Sequence, residues 1–455
     1  MRVAEVVKLW IPLAASWLLM GLELPLLTMA VSRLPFEQTQ LGAWGGVVLP
    51  ISLVIEGPVI MLLAASTALC GDRASYLRVR GFMLAAGAAL TLVHAAVAFT
   101  PLFDVVVRDW LAAPDDVIEP ARLGLRIMTP WTWAIAWRRF CQGLLIRNGL
   151  SRSVGMGTLV RLLSNASVLA LGVWSGQVAG IVVGASAVAV GVVSEAVYAA
   201  RVAAPVIREK ILPVEPTEAP LGRGAFLKYY LPLALTPFVT LVIQPLGAAS
   251  MNRLPAAELS IAAFPAVHGL VFMTRSLGFA YNEVVVSLVA RPGGPAALVR
   301  FQRWLALGTS GVLLLLVTTP LASLWFERLS DLSPALAALC TAGVAVCVLM
   351  PAYQVLQSYA QGVLVKHGST RAVSEAVVVY AALAALLLAS VVFTLDHLAT
   401  LPLADVPTLL GTPLTEIPGL LWALGSFVVA GLTQTAWLFT RSRAARLSYS
   451  AISTT

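Results

Sequence analysis

Charge is what this chain has least of. Only 11% of its 455 residues are Asp, Glu, Lys or Arg, whereas 59% are hydrophobic. Soluble domains carry about 25% charged residues, so a water-exposed globular surface is excluded. Histidine and cysteine are equally sparse, at four each. The cysteines (Cys70, Cys141, Cys340 and Cys347) are scattered, so neither a disulfide framework nor a Cys/His metal spacing exists, and small packing residues are the reading that remains. The Gly-x-x-x-x-Gly-Lys-Ser/Thr loop, the His-Glu-x-x-His pair and the Gly-x-Ser-x-Gly elbow are all missing. Their absence leaves no ATP motor, zinc hydrolase or serine hydrolase. The polar loops are too short to hold a catalytic domain, so the chain reads as a non-enzyme with no cofactor.

What is present is a series of apolar stretches long enough to cross a hydrocarbon core of about 30 Å. Six fall in the first half, at approximately 9–31, 41–69, 81–101, 123–146, 155–176 and 179–201. Six more follow at approximately 226–250, 259–290, 302–325, 335–362, 372–395 and 418–440. The first is too long for the apolar core of a cleaved signal. A net charge of +8 would fit a nucleic-acid binder, but its placement excludes one. Arg73, Arg78 and Arg80 follow span two, Arg147 and Arg152 span four, Arg201, Arg208 and Lys210 span six, and Arg441, Arg443 and Arg446 span twelve. The alternate loops are acidic, as at Asp104, Asp109, Asp115, Asp116 and Glu119. This is the positive-inside pattern. It predicts cytoplasmic termini in a bacterial inner membrane.

The halves repeat. Lys8, Pro12-Leu13-Ala14, Pro25-Leu26 and Arg33-Leu34-Pro35 recur at one constant offset as Lys228, Pro232-Leu233-Ala234, Pro245-Leu246 and Arg253-Leu254-Pro255. Gln142-Gly143-x-Leu145-Ile146-Arg147-x-Gly149 recurs, one position short of that offset, as Gln361-Gly362-x-Leu364-Val365-Lys366-x-Gly368. Such a register marks an internal duplication. Six is even, so the copies enter the membrane in the same direction, as parallel repeats. The expected organisation is a six-helix lobe over 1–201, a cytoplasmic linker over 202–225 and a second lobe over 226–455, in an all-α polytopic membrane protein. Spans two and eight each promise an internal break, at Glu56-Gly57-Pro58 in one and at Pro265 and Gly278 in the other. The second lobe gains an extra segment between its last two spans, around Pro402, Pro407 and Pro413.

Polar residues within the spans mark candidate functional positions. Gln354, Gln357, Ser358 and Gln361 form one helical stripe in span ten. His268, Arg275 and Asn282 recur at heptad spacing in span eight, with Glu283 beside them. Thr236, Thr240 and Gln244 line span seven; Thr158, Arg161 and Asn165 line span five; Arg138 and Gln142 mark span four, and Ser16 and Glu23 span one. Interhelical hydrogen bonding is the structural alternative for the amides and hydroxyls. Substrate-binding candidates are Arg275, Arg161, Arg138, His268, Asn282, Gln357, Gln361 and Gln244; ion-coupling candidates are Glu56, Glu283 and Glu23. Glu195 and Glu375 read as structural, near cytoplasmic ends, and His94 as a core histidine. Guanidinium groups suit carboxylate and phosphate, which favours an anionic substrate.

Twelve spans in two parallel lobes, proline in spans one and seven, and the Gln-Gly-x-Leu-x-Arg/Lys-x-Gly motif after spans four and ten resemble the multidrug, oligosaccharidyl-lipid and polysaccharide (MOP) flippase superfamily, which holds the multidrug and toxic compound extrusion (MATE) transporters. Tyr230-Leu231-Pro232-Leu233-Ala234-Leu235, Phe264-Pro265-x-x-His268, Glu56-Gly57-Pro58 and Gly362-Val363-Leu364-Val365-Lys366-His367 are similar to the progressive ankylosis (ANK) membrane proteins. The resemblance implies a monomeric secondary-active exporter of a small organic anion, working by alternating access and coupled to H+ or Na+. A lipid-linked envelope-precursor flippase and a multidrug antiporter are its alternatives.

Overall fold

The computed structural model describes residues 2–216, 222–402, 406–409 and 411–452. Each expected span meets a long helix. We label these α1 (Val3–Val31), α2 (Glu37–Leu69), α3 (Arg73–Phe99), α4 (Asp115–Arg147), α5 (Ser151–Ser175), α6 (Gly180–Ile211), α7 (Arg223–Asn252), α8 (Ala257–Leu288), α9 (Gly294–Thr318), α10 (Pro334–Lys366), α11 (Thr370–Leu398) and α12 (Gly419–Arg441), followed by α13 (Arg443–Ile452). Ten are long and apolar enough to cross a bilayer, and α7 joins them when its two arms, bent by 41°, are taken as one span. The twelfth, α4, has the length, at 33 residues, but is less apolar than the other eleven. Much of its surface is buried against protein rather than lipid.

Several helices start earlier than the apolar windows because their first turns stand in polar loops. Asp72 caps α3, its Oδ1 accepting the Ser75 N–H at 2.9 Å, so the helix begins at Arg73 rather than near residue 81. The expected linker is partly helix: α6 continues to Ile211, and the Val214 carbonyl accepts the Arg73 N–H at 3.1 Å. The extra segment before α12 holds the sheet, an antiparallel hairpin of β1 (Thr408–Leu409) and β2 (Thr412–Pro413).

The duplication is visible in the backbone. Non-glycine residues with positive φ are uncommon, yet they recur in register: Phe36 (61°) with Ala256 (53°), and Ala112 (52°) with Asp331 (57°). Gly149 (78°) and Gly368 (81°) follow the same rule, and each pair keeps the repeat offset to within one position. The N-termini of the last helices of the two repeats are capped alike. Gln40 Oε1 accepts the Ile181 N–H at 2.9 Å; at the equivalent position of the second repeat, Ser260 Oγ accepts the Leu420 N–H at 3.1 Å.

By compactness the chain divides differently from the repeat boundaries read in the sequence. One unit is Met1–Met29 with Ser250–Thr455; the other is Ala30–Ala249. Most of α1 therefore packs with the second repeat, and most of α7 with the first. In the former unit, a Cβ on Gly21 would lie 3.0 Å from the Met273 backbone, and one on Gly269 would lie 3.0 Å from Leu24. Trp10 donates its indole N–H to the Leu277 carbonyl at 3.0 Å and meets Phe301 edge-on at 5.4 Å. Val6, Tyr281, Val285, Leu298, Phe301 and Val355 form the buried core around them.

In the Ala30–Ala249 unit, α4 is the central post. The Gly143 position lets α4 close onto α2: a Cβ there would collide with Ser66 Oγ and the Leu63 carbonyl. Ser66 Oγ in turn donates toward the Phe140 carbonyl at 3.0 Å, and Arg147 caps the end of α2 by donating to the Thr67 and Ala68 carbonyls at 2.9 Å. The Gln-Gly-x-Leu-x-Arg-x-Gly motif is thus a packing and capping device. Its copy repeats the close approach, since a Cβ on Gly362 would lie 2.8 Å from Val285.

The expected break in span two is present. A 3₁₀ turn over Gly57–Val59 interrupts α2, the Pro58 carbonyl accepts the Tyr230 hydroxyl at 2.6 Å, and Gly57 makes room for Phe238. Span eight differs. Helix α8 runs through Pro265 and Gly278 unbroken, and Gly278 instead admits Gln354, whose Cγ would lie 3.0 Å from a Cβ. The glycine there serves close helix contact, not bending.

Candidate functional site

Among the described residues each unit holds a polar cluster, buried in the first and half-buried around Arg275 in the second. The first is built where α4, α5 and α6 meet in the Ala30–Ala249 unit. Arg138 Nη1 donates to Glu195 Oε2 at 2.6 Å, Gln142 Nε2 donates to Glu195 Oε1 at 3.0 Å, and Arg161 Nε lies 3.7 Å from Glu195 Oε2. The Glu195 side chain is 1% exposed, Arg138 7% and Arg161 11%. At such burial an ion pair holds only if its geometry is tight and its remaining donors are met. Glycines bring the backbones close enough for this: a Cβ on Gly191 would lie 3.1 Å from the Arg161 carbonyl, and one on Gly157 3.4 Å from Glu195 Cγ.

Glu56, just before the break in α2, and Arg139 lie within electrostatic range of the same groups. The cluster therefore gathers three arginines and two glutamates. Glu56 Oε2, Arg138 Nε, Arg139 Nε and Gln142 Oε1 are buried without a hydrogen-bond partner. Positive charge is in excess, and unmet donors and acceptors remain.

The second cluster lies in the Met1–Met29 and Ser250–Thr455 unit, between α8 and α10. Arg275 Nη2 donates to Gln354 Oε1 at 2.8 Å, and its guanidinium stands 5.8 Å from the Phe279 ring and 6.0 Å from the Tyr353 ring. Among the described residues no carboxylate pairs with it, and Arg275 Nε is unmet. Two turns earlier on α8, His268 stacks with Phe264 (5.4 Å) and Phe272 (6.2 Å), which flank it by one turn on either side. Two turns later, Asn282 Nδ2 donates to the Ser358 carbonyl at 3.1 Å. Gln357 is engaged in helix association through its amide nitrogen. Its Nε2 reaches the Gly431 carbonyl (3.0 Å), Gln434 Oε1 (3.2 Å) and Thr435 Oγ1 (3.0 Å), all on α12.

The two clusters share one blueprint. Arg138 and Gln357 are separated by the offset that relates Gln142 to Gln361. Glu195 and Thr435, like Gly191 and Gly431, keep the larger offset that relates Arg201 to Arg441, which includes the extra segment before α12. One node joins the fourth and sixth helices of each repeat. In one repeat it is an ion pair, in the other an amide–hydroxyl contact.

No family model and no curated protein matches the sequence. Solved structures do match. The inward-facing form of a multidrug-resistance MATE family transporter of the MOP superfamily superposes with a TM-score of 0.70 at 13% identity, over 98% of this chain and 99% of that one. A mutant of a Vibrio cholerae MATE transporter gives 0.59 at 17% identity over 97% and 98%. A MOP-superfamily transporter from Pyrococcus furiosus, described as having a binding pocket of reversed polarity, gives 0.60 at 13% identity over 98% and 96%. The chain has the fold of the MATE transporters. In this chain that all-α fold is built from the twelve long helices α1–α12.

Within the MATE-like fold the candidate residues fall into three groups. Arg138, Arg161 and Glu56 are brought together in one unit; Arg275, His268, Asn282 and Gln357 share α8 and α10 of the other. Gln244, Gln361 and Glu23 are half-buried, and Glu283 is exposed. The Thr236 side chain lies outside the described residues. His94 is buried and satisfied, by Thr132 Oγ1 (2.9 Å) and the Leu125 carbonyl (3.0 Å). Glu375 bridges Arg371 (3.2 Å) and Arg441 (2.9 Å). Glu195 is the residue the sequence places least well. A span ending at 201 leaves it near a terminus, but α6 runs to Ile211 and sets it deep in the helix. Its signal is the repeat offset that pairs it with Thr435.

Proposed function

We propose that this chain is a secondary-active exporter of the MATE type, moving a small organic anion by alternating access. The observation that carries this reading is the excess of guanidinium: three arginines against two glutamates in one unit, and the half-buried Arg275 with no carboxylate partner among the described residues in the other. A guanidinium withdrawn in part from water and lacking a carboxylate partner is a receptor for one carried by the substrate. Glu56, buried with an unmet oxygen, is our candidate for the coupling H+ or Na+. The reversed pocket polarity described for the Pyrococcus furiosus transporter is a precedent, within this fold, for a pocket of unusual charge. On this reading the protein works as a monomer in a bacterial inner membrane with both termini cytoplasmic.

The test is flux in proteoliposomes with a panel of organic anions and cations, comparing wild type with Arg275→Gln. Losing a charged hydrogen bond removes about 1.5–3 kcal/mol, or ten- to a hundredfold in affinity. Unchanged affinity for every transported anion, or transport of cations alone, overturns the reading. The multidrug-resistance transporter that superposes at 0.70 favours an antiporter for drugs as the second reading, and the cation arm of the panel would reveal it.

A further inference from the structure

We propose that a basic groove at the start of α9 binds the phosphate headgroup of an anionic phospholipid, in the leaflet on the side of the chain termini. Four arginines line it: Arg300 and Arg303 from α9, and Arg443 and Arg446 from α13. No acid lines it, and none of the four pairs with a carboxylate among the described residues. The groove has a volume of about 920 Å³, room for a phosphoglycerol headgroup.

Two further features point to a ligand. Gln302 reaches the groove with its Oε1 buried and unmet, at 7% exposure for the residue. Arg446 is already held in place: its Nη2 donates to the Phe439 carbonyl at 2.7 Å, its guanidinium lies 4.5 Å over the Phe439 ring, and its Nε has no partner. The first turn of α9, a helix of 25 residues, also borders the groove through Pro295 and Ala296, adding the positive end of its dipole.

The surroundings select a lipid over a free anion. Trp304 and Leu307 on α9 are each 72% exposed, and Leu447 on α13 is 62% exposed. A tryptophan beside arginines at a helix end is the pattern of a bilayer interface. Helix α13 carries Ala445 into the buried core while Arg443, Arg446 and Leu447 face the groove. A lipid phosphate would meet the arginines and its acyl chains the apolar rim. Basic pockets between membrane helices on the cytoplasmic side bind such headgroups.

The experiment is native mass spectrometry of the detergent-purified full chain, titrated with phosphatidylglycerol or phosphatidylcholine. We expect phosphatidylglycerol to remain bound at concentrations at least tenfold lower. Arg303→Gln and Arg443→Gln should each weaken it about fivefold, from roughly 1 kcal/mol per basic residue. The Arg303→Lys/Arg443→Lys variant should keep the preference, since it keeps the charge. Glycerol phosphate at millimolar concentration should not displace the lipid. Equal retention of the two lipids, undiminished binding by both glutamine variants, or loss of the preference in the lysine variant overturns the proposal. Displacement by glycerol phosphate overturns the lipid source. None of these readouts depends on transport.

Discussion

The node shared by the two repeats allows a double-mutant cycle whose outcome is fixed by the chain's own second copy. Arg138→Gln gives α4 the residue found at Gln357, and Glu195→Thr gives α6 the residue found at Thr435. Arg138 and Glu195 touch at 2.6 Å with side chains 7% and 1% exposed. The charge centres of such a contact are roughly 4 Å apart, worth about 4 kcal/mol at an effective dielectric constant near 20. Removing one partner of a buried pair typically costs about 3–5 kcal/mol, since the other charge is left uncompensated. Glu195→Thr is the worse single change. It also abandons Arg161 at 3.7 Å and the Gln142 amide at 3.0 Å, leaving three arginines to Glu56.

The double variant removes one charge of each sign, and replacing a buried pair by neutral groups is often neutral or stabilising. We therefore expect each single variant to be destabilised by about 3–5 kcal/mol and the double by less than either, a coupling of about 3 kcal/mol or more. Thermal unfolding of purified protein, followed by intrinsic fluorescence and by size-exclusion recovery, provides the measurement. Additive effects to within about 0.5 kcal/mol, the behaviour of independent sites, would refute the claim that Arg138 and Glu195 form one unit.

Two more outcomes follow from the geometry. Gly143→Ala should destabilise by about 1–3 kcal/mol through overpacking against Ser66 and the Leu63 carbonyl, whereas Gly155→Ala, with open space around it, should be neutral or stabilising by up to about 1 kcal/mol; equal effects in thermal unfolding would remove the packing argument. Outside the spans, the hydrogen bond from Arg122, assisted by Arg108, holds the Asp104 carboxyl below the ordinary carboxylate value. A depressed folded value contributes stability above the unfolded pKa of about 3.9 and loses it as pH falls through the folded one. Arg122→Gln should thus lower the melting temperature near neutrality, with the gap to wild type closing on acidification below about pH 4; a gap that stays constant throughout that acid range would count against the pair.

The twelve helices are legible in the sequence because length, apolarity and loop charge agree, and a missed helix would invert every later loop. Even α4, the least apolar of the twelve, is recognisable from its place in the repeat. The grouping of α1 with α8 is not legible: sequence order carries no record of which neighbour a helix packs on, and Gly21 and Gly269 look like any other glycines until they face each other's helices. The charged positions are readable as a set, because burying them is expensive anywhere in a bilayer. Their pairing is not. Arg138 reads as a free guanidinium until the length of α6 puts Glu195 beside it. Gln357 shows the reverse case: its helical stripe with Gln354 and Gln361 suggests lining, while its amide nitrogen lies within hydrogen-bond distance of three groups on α12.

That the second repeat holds its fourth and sixth helices together with Gln357 and Thr435 bears on why the first uses charge. Gly431 makes room on α12 for Tyr353 of α10, so the fourth and sixth helices of the second repeat approach closely with no charge between them. Neutral groups are sufficient for that packing. A buried pair adds little to stability over them, yet the first repeat keeps not a pair but five ionisable groups, with unmet atoms on Glu56, Arg138, Arg139 and the neighbouring Gln142. Structural need does not account for this excess. The proposed function accounts for it, through a site whose charge balance changes when a substrate or coupling ion enters. The variant carrying both Arg138→Gln and Glu195→Thr separates the two roles: it should keep the fold and lose transport. If it transports as wild type does, the charge in the first repeat is packing after all, and the site belongs to Arg275 alone.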